Sequence, residues 1–302
     1  MARNRKRNNT KNSYMSINSK SPKTKYGLIP VNELTYGNPN AAQDILIREE
    51  GDYDYIANHY MQKPYPNNDG EYAKKELEKI REEMKKLQHD KVVELSIKFD
   101  DDLSSMLVEM AQNCGVSNAE GFVKGLYKDI NPIIMKLKYY YNRIRPYQLA
   151  NILSYPLNPM PTVSGQSPSY PSGHTVQSKV FADVLSFRYP DQQDVLTKFS
   201  DKCAKSRCIL GVHFPSDEIF GLQLAQGIIN DENFKKKYFN ANNISEGISQ
   251  SPIKNYMNHP NQQGGMNRSQ RESQVPPKTV NENEVFGGLP EAPTNMPFGP
   301  QK

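Results

Sequence analysis

The sequence predicts an all-helical domain over residues 35–245, between a basic N-terminal arm and a polar C-terminal tail. Apolar residues in the middle part recur mainly at intervals of three and four, which is the spacing of an amphipathic helix. The whole chain is polar, with 36% hydrophobic residues and a mean hydropathy of -0.77 over 302 residues. A folded middle with unfolded ends is therefore the expected arrangement.

The N-terminal segment 1–34 is predicted to be a disordered basic arm. Residues 1–26 hold eight Lys or Arg and no acidic residue, whereas residues 27–248 hold 25 basic and 29 acidic residues and so carry a charge of -4. The pI near 8.8 is thus largely a property of the arm. An arm of this kind can make weak contacts with nucleic acid or another polyanion.

Two segments before residue 100 differ in pattern. Apolar residues between Leu77 and Leu87 step by three and four through a charge-rich stretch, which predicts an amphipathic helix. Val93, Leu95, Ile97 and Phe99 instead alternate with polar residues. This alternation is typical of a strand, although an extended linker between helices is equally compatible with four residues.

The remaining helices are predicted from start signals and periodicity. Ser117 and Glu120 form a capping-box pattern, and Asn131-Pro132 is a helix start of the cap-then-proline type. Helical spacing of apolar residues predicts three further helices, at about 173–188, 191–209 and 217–230. The final segment 246–302 is predicted to be a disordered tail, because residues 249–302 contain eight Pro, five Gly and seven Asn but only seven Leu, Ile, Val or Phe.

Cysteine usage and hydropathy indicate the compartment. Cys114, Cys203 and Cys208 form no Cys-x-x-Cys pair, and we expect each of them to be a small apolar core residue in a reducing environment. No apolar run approaches the roughly 18 residues of a membrane span, and the basic start lacks an apolar signal-peptide core. We therefore expect a cytoplasmic or virion-associated protein without a signal peptide or transmembrane segment.

Three short segments carry an unusual set of cationic and imidazole groups: Lys138 to Arg145-Pro146, Ser169 to His174, and Ser206-Arg207 to Asp217. Three fixed cations, Lys138, Arg145 and Arg207, suit a ligand whose negative charges are spread over several oxygens, which describes a phosphoryl group. Each segment alone has an ordinary explanation as solvated surface, turn or helix cap. Their combination in one order predicts a phosphate site.

The second segment adds a helix start. Ser172 can act as the N-cap of a helix, and Gly173 lets the backbone approach a ligand closely. The backbone N–H groups at the start of a helix are unpaired and bind anions. We therefore place Ser172 and Gly173 with the three cations in the predicted phosphate cradle.

Two histidines complete the predicted site. Asp217 follows His213 by four residues, so its carboxylate can accept a hydrogen bond from the imidazole and fix the tautomer. An oriented, neutral imidazole beside a bound phosphate is a nucleophile. His174 is placed to protonate the leaving oxygen.

These segments resemble the signature of the type 2 phosphatidic acid phosphatase superfamily, which includes lipid phosphate phosphatases, soluble class A acid phosphatases and vanadium haloperoxidases. The runs Ser169 to Thr175 and Gly211-Val212-His213 look most like the soluble acid phosphatases. The resemblance is strong over about 130–230 and weak over 71–128, and it does not extend to the tails. It implies a helical bundle of the acid phosphatase and haloperoxidase type.

The resemblance also implies residue roles and a metal-independent, two-step hydrolysis of phosphomonoesters. By position, His213 corresponds to the nucleophile that becomes phosphohistidine, Asp217 to its orienting carboxylate and His174 to the general acid. The phosphate cradle corresponds to Lys138, Arg145, Ser172, Gly173 and Arg207. No metal or other cofactor is expected, and vanadate is expected to inhibit.

Two alternatives remain open at this point. A vanadate-dependent haloperoxidase would use the same cradle, with vanadate as its cofactor. A structural, virion-associated or nucleic-acid-associated protein could carry this domain, and the basic arm at 1–26 motivates that possibility. The expected partner under the phosphatase interpretation is a small phosphorylated substrate, whereas the sequence leaves its identity and the oligomeric state undetermined.

Overall fold

The computed structural model describes residues 23–24, 27–28, 31–66 and 68–239. This part of the chain is helical apart from two paired strands of two residues each, β1 (Lys23–Thr24) and β2 (Gly27–Leu28), so the predicted all-helical fold is confirmed. The helices are α1 (Ala41–Arg48), α2 (Asp54–Tyr60), α3 (Gly70–Met84), α4 (Asp90–Asn113), α5 (Ala119–Tyr141), α6 (Pro146–Ile152), α7 (Gly173–Arg188), α8 (Gln193–Ile209), α9 (Pro215–Asn230) and α10 (Glu232–Tyr238). Short 3-10 helices cover Val31–Glu33, Lys85–Gln88 and Pro190–Gln192.

The predicted tails lie outside the described residues, except for 23–24, 27–28 and 31–34. Val31 and Leu34 are partly buried against a small apolar cluster that contains Leu77, Ile80 and Phe214. Residues before position 35 therefore also pack against the folded domain.

Helix α7 occupies the centre of the bundle. Buried residues cover most of its circumference, as expected for a helix enclosed by others. It packs against α4, α5, α8 and α9. Because the predicted Ser172-Gly173-His174 segment lies at the beginning of this helix, the candidate site is anchored to an element that is packed on several sides.

Four of the predicted helices are present with small shifts in their ends. The apolar run from Leu77 to Leu87 falls in α3 and the 3-10 helix that follows it. The helices predicted at 173–188, 191–209 and 217–230 correspond to α7, α8 and α9. Cys114, Cys203 and Cys208 are free and buried, as expected for core residues.

The extended segment predicted at 93–99 is wrong, because these residues lie within α4. The buried face of the first half of this helix is formed by Val92, Ser96, Phe99, Asp100 and Leu103. Polar Ser96 and Asp100 therefore occupy two core-facing positions of the helical stripe. They hide its period of 3.6, so that the half-buried Val93, Leu95 and Ile97 together with buried Phe99 produce an apparent alternation.

The helix start predicted at Asn131-Pro132 is also wrong. Helix α5 runs through Pro132, although proline lacks the N–H of a helical hydrogen bond. The flanking residues Ile130, Ile133 and Ile134 are all buried, and their packing holds the helix together across the proline. At the beginning of α5 the N-cap is Asn118, whose side chain accepts from the N–H of Gly121, instead of the predicted Ser117.

Candidate active site

A cavity of about 170 Å³ opens where the beginning of α7, the end of α5 and the turn from α8 to α9 meet. Its polar end is lined by Lys138, Arg145, Ser164, Ser167, Gly173, His174 and His213. Five of the eight predicted site residues are in this set. The other three, Ser172, Arg207 and Asp217, are fully buried beside it.

The turn after α5 brings the first two predicted cations together. Helix α5 ends at Asn142, which adopts the left-handed conformation with φ of 47° and donates its N–H to the Lys138 carbonyl oxygen. Asparagine is one of the few residues that favour this conformation at a helix end. This turn reverses the direction of the chain. Arg145, the N-cap residue of α6, therefore lines the same cavity as Lys138.

Helix α7 begins at the cavity wall. Ser172 is its N-cap residue, as predicted, but its side chain makes no capping bond; its hydroxyl accepts instead from Thr175 Oγ1 at 2.9 Å. A Cβ at Gly173 would meet Ile134 and Lys138 only at ordinary contact distances of 3.5 and 3.6 Å. Protein packing alone does not require glycine there, whereas a side chain would take space from the cavity that Gly173 lines.

The turn between α8 and α9 positions the third predicted segment. Gly211 has a φ of +75°, and a Cβ there would come within 2.9 Å of Met84 Sδ and 3.0 Å of Pro159 Cβ, so glycine is required. This turn carries the chain from Arg207 at the end of α8 to His213 just before α9. The backbone N–H of Ser172 donates to the Asp217 carbonyl oxygen at 3.0 Å, which joins the beginnings of α7 and α9.

His213 is held in one tautomer by two charged partners. Its Nδ1 lies 3.1 Å from Asp217 Oδ2, and its Nε2 lies 3.1 Å from Arg145 Nη1. A guanidinium can only donate a hydrogen bond, so Nε2 is the acceptor and Nδ1 carries the proton that is donated to Asp217. The Nε2 lone pair is therefore directed towards Arg145 at the cavity wall, where it accepts the Arg145 N–H until a ligand takes that donor.

Asp217 is itself fixed on both oxygens. Its Oδ2 also accepts from the N–H of Phe214 at 2.8 Å, and its Oδ1 accepts from Arg143 Nη1 at 2.7 Å. The side chain is fully buried. The carboxylate that orients His213 thus has little freedom to turn away.

His174 faces the same cavity in the opposite tautomer. Its Nε2 lies 3.0 Å from the carbonyl oxygen of Phe99, and because a carbonyl can only accept, Nε2 is the protonated nitrogen. Nδ1 is then the nitrogen that exchanges a proton with a ligand. The structure brings His174 and His213 to one cavity, as the sequence predicts.

Arg207 is anchored on one side and unpaired on the other. Its Nη2 donates to Asp100 Oδ1 at 2.8 Å and to Ser164 Oγ at 2.7 Å. Its Nε and Nη1 are buried, and no hydrogen-bond partner for them is present among the described residues. Buried donors of a charged group are costly to leave unpaired, so the N–H groups on these two nitrogens are suited to a bound anion.

The charges of the site shift the pKa values of both histidines in one direction. Burial, followed by the charges of Arg145 and Lys138, holds the pKa of His213 well below its usual range. Burial, followed by the charge of Arg207, does the same to the pKa of His174. Both imidazoles are therefore neutral near pH 7 when no anion is bound.

The pKa of Lys138 is also displaced. Burial and the neighbouring Arg145 hold it well below the usual value, and Asp217 offsets part of this shift. Lys138 Nζ donates to the carbonyl oxygen of Pro168 at 2.6 Å. An anion entering the cavity would favour the charged ammonium by direct Coulomb attraction.

The structure contains a buried ionic network behind the site that the sequence does not predict. Arg143 is fully buried and donates to Asp217 Oδ1, Glu76 Oε2 at 2.8 Å, Ser216 Oγ at 2.7 Å and Asn68 Oδ1 at 3.0 Å. Glu76 Oε1 in turn accepts from the N–H of Ser216 at 2.8 Å. Helix α3 is thereby linked to the beginning of α9.

Two sequence signals mark these missed residues. Asp100 and Glu76 are acidic residues at core-facing positions of amphipathic helices, and such positions rarely hold a charge without a partner. Arg143 lies two residues before Arg145, in a segment already rich in cations. Neither signal identifies the partner, since the contacts join residues 67 to 107 positions apart.

The described part of the chain can also be searched for metal-ligand clusters and membrane-spanning helices. Within it, no three His, Cys, Asp or Glu side chains lie together in a way that could hold a metal ion. No helix there has both the length and the apolar content needed to cross a membrane.

One family description matches part of the chain. The PAP2 superfamily matches residues 122–230, which is 109 of the 302 residues. All eight predicted site residues fall within this span, whereas Asp100, Glu76 and helix α1 lie outside it. No match was found among curated proteins.

Proposed function

We propose that the protein is a phosphatase that hydrolyses phosphomonoesters through a phosphohistidine at His213. The observation that carries the proposal is the orientation of His213, whose Nδ1 faces Asp217 while its Nε2 faces the cationic end of a cavity. The match to the PAP2 superfamily supports phosphatase-type activity. The assignment of roles to individual residues is part of the proposal.

The phosphoryl group would bind between the three cations. Arg207 offers the N–H groups of its two unpaired nitrogens, Nε and Nη1, and hydrogen bonds to a charged partner are each worth about 1.5–3 kcal/mol. The N–H groups at the beginning of α7, next to Gly173, provide further donors. Binding also releases the Nε2 of His213, because phosphoryl oxygens compete for the Arg145 N–H that it accepts.

In the first step, His213 Nε2 attacks phosphorus as the bond to the leaving oxygen breaks. The leaving oxygen takes a proton from Nδ1 of protonated His174 and departs as the alcohol. The imidazole of His213 becomes cationic as the N–P bond forms, and the Asp217 carboxylate at 3.1 Å stabilises that charge. The cations stabilise the negative charge on the phosphoryl oxygens.

In the second step, water attacks the phosphohistidine. His174, now neutral, accepts a proton from this water as the new P–O bond forms and the P–N bond breaks. Inorganic phosphate leaves, and His213 returns to its neutral tautomer. Three protein cations supply the positive charge for both steps, so we expect catalysis without a divalent metal.

His174 can act as a general acid only if substrate binding leads to protonation of the His174 imidazole. In the free protein its pKa is held well below the usual range by burial and by the charge of Arg207. A bound phosphoryl anion beside it raises this pKa by Coulomb attraction. Protonation of His174 is thereby coupled to substrate binding.

The test is hydrolysis of a panel of phosphomonoesters by the purified chain, with and without a chelator. We expect release of inorganic phosphate at the same rate in both conditions and competitive inhibition by vanadate. Loss of activity in the chelator that magnesium or zinc restores would contradict the mechanism. Bromide oxidation by peroxide after vanadate loading, without hydrolysis of any ester, would favour a haloperoxidase instead.

We further propose that the chain acts like the soluble class A acid phosphatases, which the runs Ser169 to Thr175 and Gly211-Val212-His213 resemble most. A phosphatase that prefers lipid phosphates over water-soluble esters would contradict it.

A further inference from the structure

Five uncharged side chains also line the cavity: Leu46 from α1, Asn131, Ile134 and Met135 from α5, and Gln177 from α7. Ile134 adjoins Gly173, which is itself next to Lys138, whereas Asn131 lies two helical turns before Lys138 and Gln177 lies one turn after His174. A leaving group that extends from the phosphoryl position along α5 therefore faces Asn131 and Gln177. The following inference rests on the proposed phosphatase function.

Helix geometry gives this part of the cavity its direction. Asn131, Ile134, Met135 and Lys138 are spaced by three, one and three residues, so they lie along one face of α5. With a rise of 1.5 Å per residue, Asn131 lies about 10 Å along the helix axis from Lys138. The wall thus extends about two helical turns from the predicted phosphate position.

A pair of amides closes the far end between α5 and α7. Gln177 Nε2 donates to Asn131 Oδ1 at 2.9 Å, and both residues line the cavity. Each carboxamide has two N–H donors and an oxygen that can accept twice. One mutual bond uses a small part of this capacity, so the pair can bind hydroxyl groups by both donating and accepting.

Helix α1 completes the apolar wall through Leu46. It is held in place by Gln43, whose Nε2 donates to the carbonyl oxygen of Gln166 at 2.6 Å and whose Oε1 accepts from Tyr139 at 2.6 Å. Residues 41–48 lie outside the span that matches the PAP2 superfamily. This wall is therefore contributed by a segment that the shared motifs do not include.

The size of the cavity limits the leaving group. At about 170 Å³ it is slightly larger than an apolar cavity of about 150 Å³ that binds benzene, and smaller than the roughly 300 Å³ of a drug-sized pocket. A phosphoryl group takes a large part of this space. The remainder accepts a chain of a few heavy atoms.

We propose that Asn131, Gln177, Leu46 and Met135 form a leaving-group subsite for a short, uncharged alcohol that carries additional hydroxyl groups. The amide pair binds the hydroxyls, and Leu46 with Met135 limits the width. Phosphomonoesters of small polyols are the substrate class that meets both conditions. A nucleoside would extend beyond the cavity and gain few contacts there, and a second charged group finds no opposite charge among these uncharged lining residues.

The first experiment compares three esters on the unmodified chain: glycerol phosphate, ethyl phosphate and a nucleoside 5′-monophosphate. All three release a primary alcohol, so differences in kcat/KM mainly report the subsite. We expect glycerol phosphate to exceed each of the others by about 10-fold, which corresponds to roughly one net hydrogen bond.

Two pairs of variants locate the preference. Gln177→Ala should reduce the ratio of kcat/KM for glycerol phosphate over ethyl phosphate about 10-fold, whereas the control Gln112→Ala, an exposed glutamine on α4, should leave the ratio unchanged. Leu46→Ala should raise the relative kcat/KM for the nucleoside phosphate. Its matched control is Ile45→Ala, because Ile45 is 65% exposed on the same helix and does not line the cavity.

The outcomes separate two kinds of failure. Equal kcat/KM for the three esters, or a Gln177→Ala variant with an unchanged ratio, would overturn the subsite while leaving the phosphatase proposal standing. No hydrolysis of any ester, including the activated nitrophenyl phosphate, would overturn the phosphatase proposal and the subsite with it.

Discussion

Replacing Arg143 with methionine should strongly destabilise the fold, although the residue does not line the cavity. The Arg143 side chain is fully buried and donates to Glu76 at 2.8 Å and to Asp217 at 2.7 Å. Methionine fills similar space but leaves both carboxylates buried without their shared cation. The substitution therefore tests the ionic network directly.

The expected loss follows from these contacts. Removing one partner of a buried ion pair typically costs about 3–5 kcal/mol, because an uncompensated charge remains in the interior. Here one guanidinium serves two carboxylates, so a loss of at least about 4 kcal/mol in the free energy of unfolding is expected. This is a large fraction of the stability of an ordinary domain.

Urea unfolding of wild type and Arg143→Met, followed by circular dichroism, measures the difference in the free energy of unfolding.

The matched control is Arg48→Met on α1. Arg48 also pairs with a carboxylate, Asp44 Oδ2 at 2.7 Å, but its side chain is 78% exposed, and exposed pairs of this kind contribute about 0.5 kcal/mol or less. If Arg143→Met costs no more than Arg48→Met, the role assigned to the buried network is wrong.

Three further predictions concern the site and its surroundings. His174→Ala should slow hydrolysis of alkyl esters by about 10²–10⁴-fold and that of nitrophenyl phosphate much less, because nitrophenolate leaves without a proton; equal effects on both esters would exclude a general acid. Asp217→Asn should lower kcat while the inhibition constant of inorganic phosphate stays within a few-fold, since the cradle remains; a loss of phosphate binding would show that Asp217 acts on the cradle itself. Glu218→Gln should be more stable than wild type at pH 8 by up to about 3 kcal/mol and equal to it near pH 4.5. The reason is that burial raises the pKa of Glu218 from 4.5 to about 7. Wild type therefore loses free energy of unfolding as the pH rises from 4.5 through 7, whereas the uncharged glutamine does not. Urea unfolding across this range measures the last effect, and a variant less stable than wild type at pH 8 would contradict it.

The sequence predicts most of the site because its motifs are local. Lys138 and Arg145 are separated by one turn, and Ser172, Gly173 and His174 are adjacent in the chain. The structure brings these residues to one cavity because both segments lie at helix ends that meet beside α7. That the separate segments meet in space is predicted only from the order of the motifs, because no local pattern shows contact between distant parts of the chain.

The errors in the fold prediction have identifiable physical causes. The apparent alternation at 93–99 arises because Asp100 faces inward to bind Arg207 at 2.8 Å, which places a charge where the helical pattern requires an apolar residue. A tertiary ion pair thus overrides the local pattern. Asn131-Pro132 predicts a helix start, but burial of the isoleucines around Pro132 outweighs the loss of one backbone hydrogen bond.

The buried residues that hold the site residues in place could not be predicted from local motifs. Arg143, Glu76 and Asp100 act through partners 67 to 107 residues away, and a single sequence contains no signal for such pairing. Leu46 likewise reaches the cavity only because α1 packs against α5. These contacts depend on tertiary packing, which periodicity and capping signals do not specify.

The most direct test of the central claim is the capture of a phosphoenzyme on His213. The chain is mixed rapidly with a nitrophenyl ester that carries a labelled phosphoryl group, the reaction is quenched in base, and the label bound to protein is counted. We expect an acid-labile label in wild type and in His174→Ala, and none in His213→Ala, because Nε2 of His213 forms the covalent bond. Label on His213→Ala, or full turnover by that variant, would contradict the account.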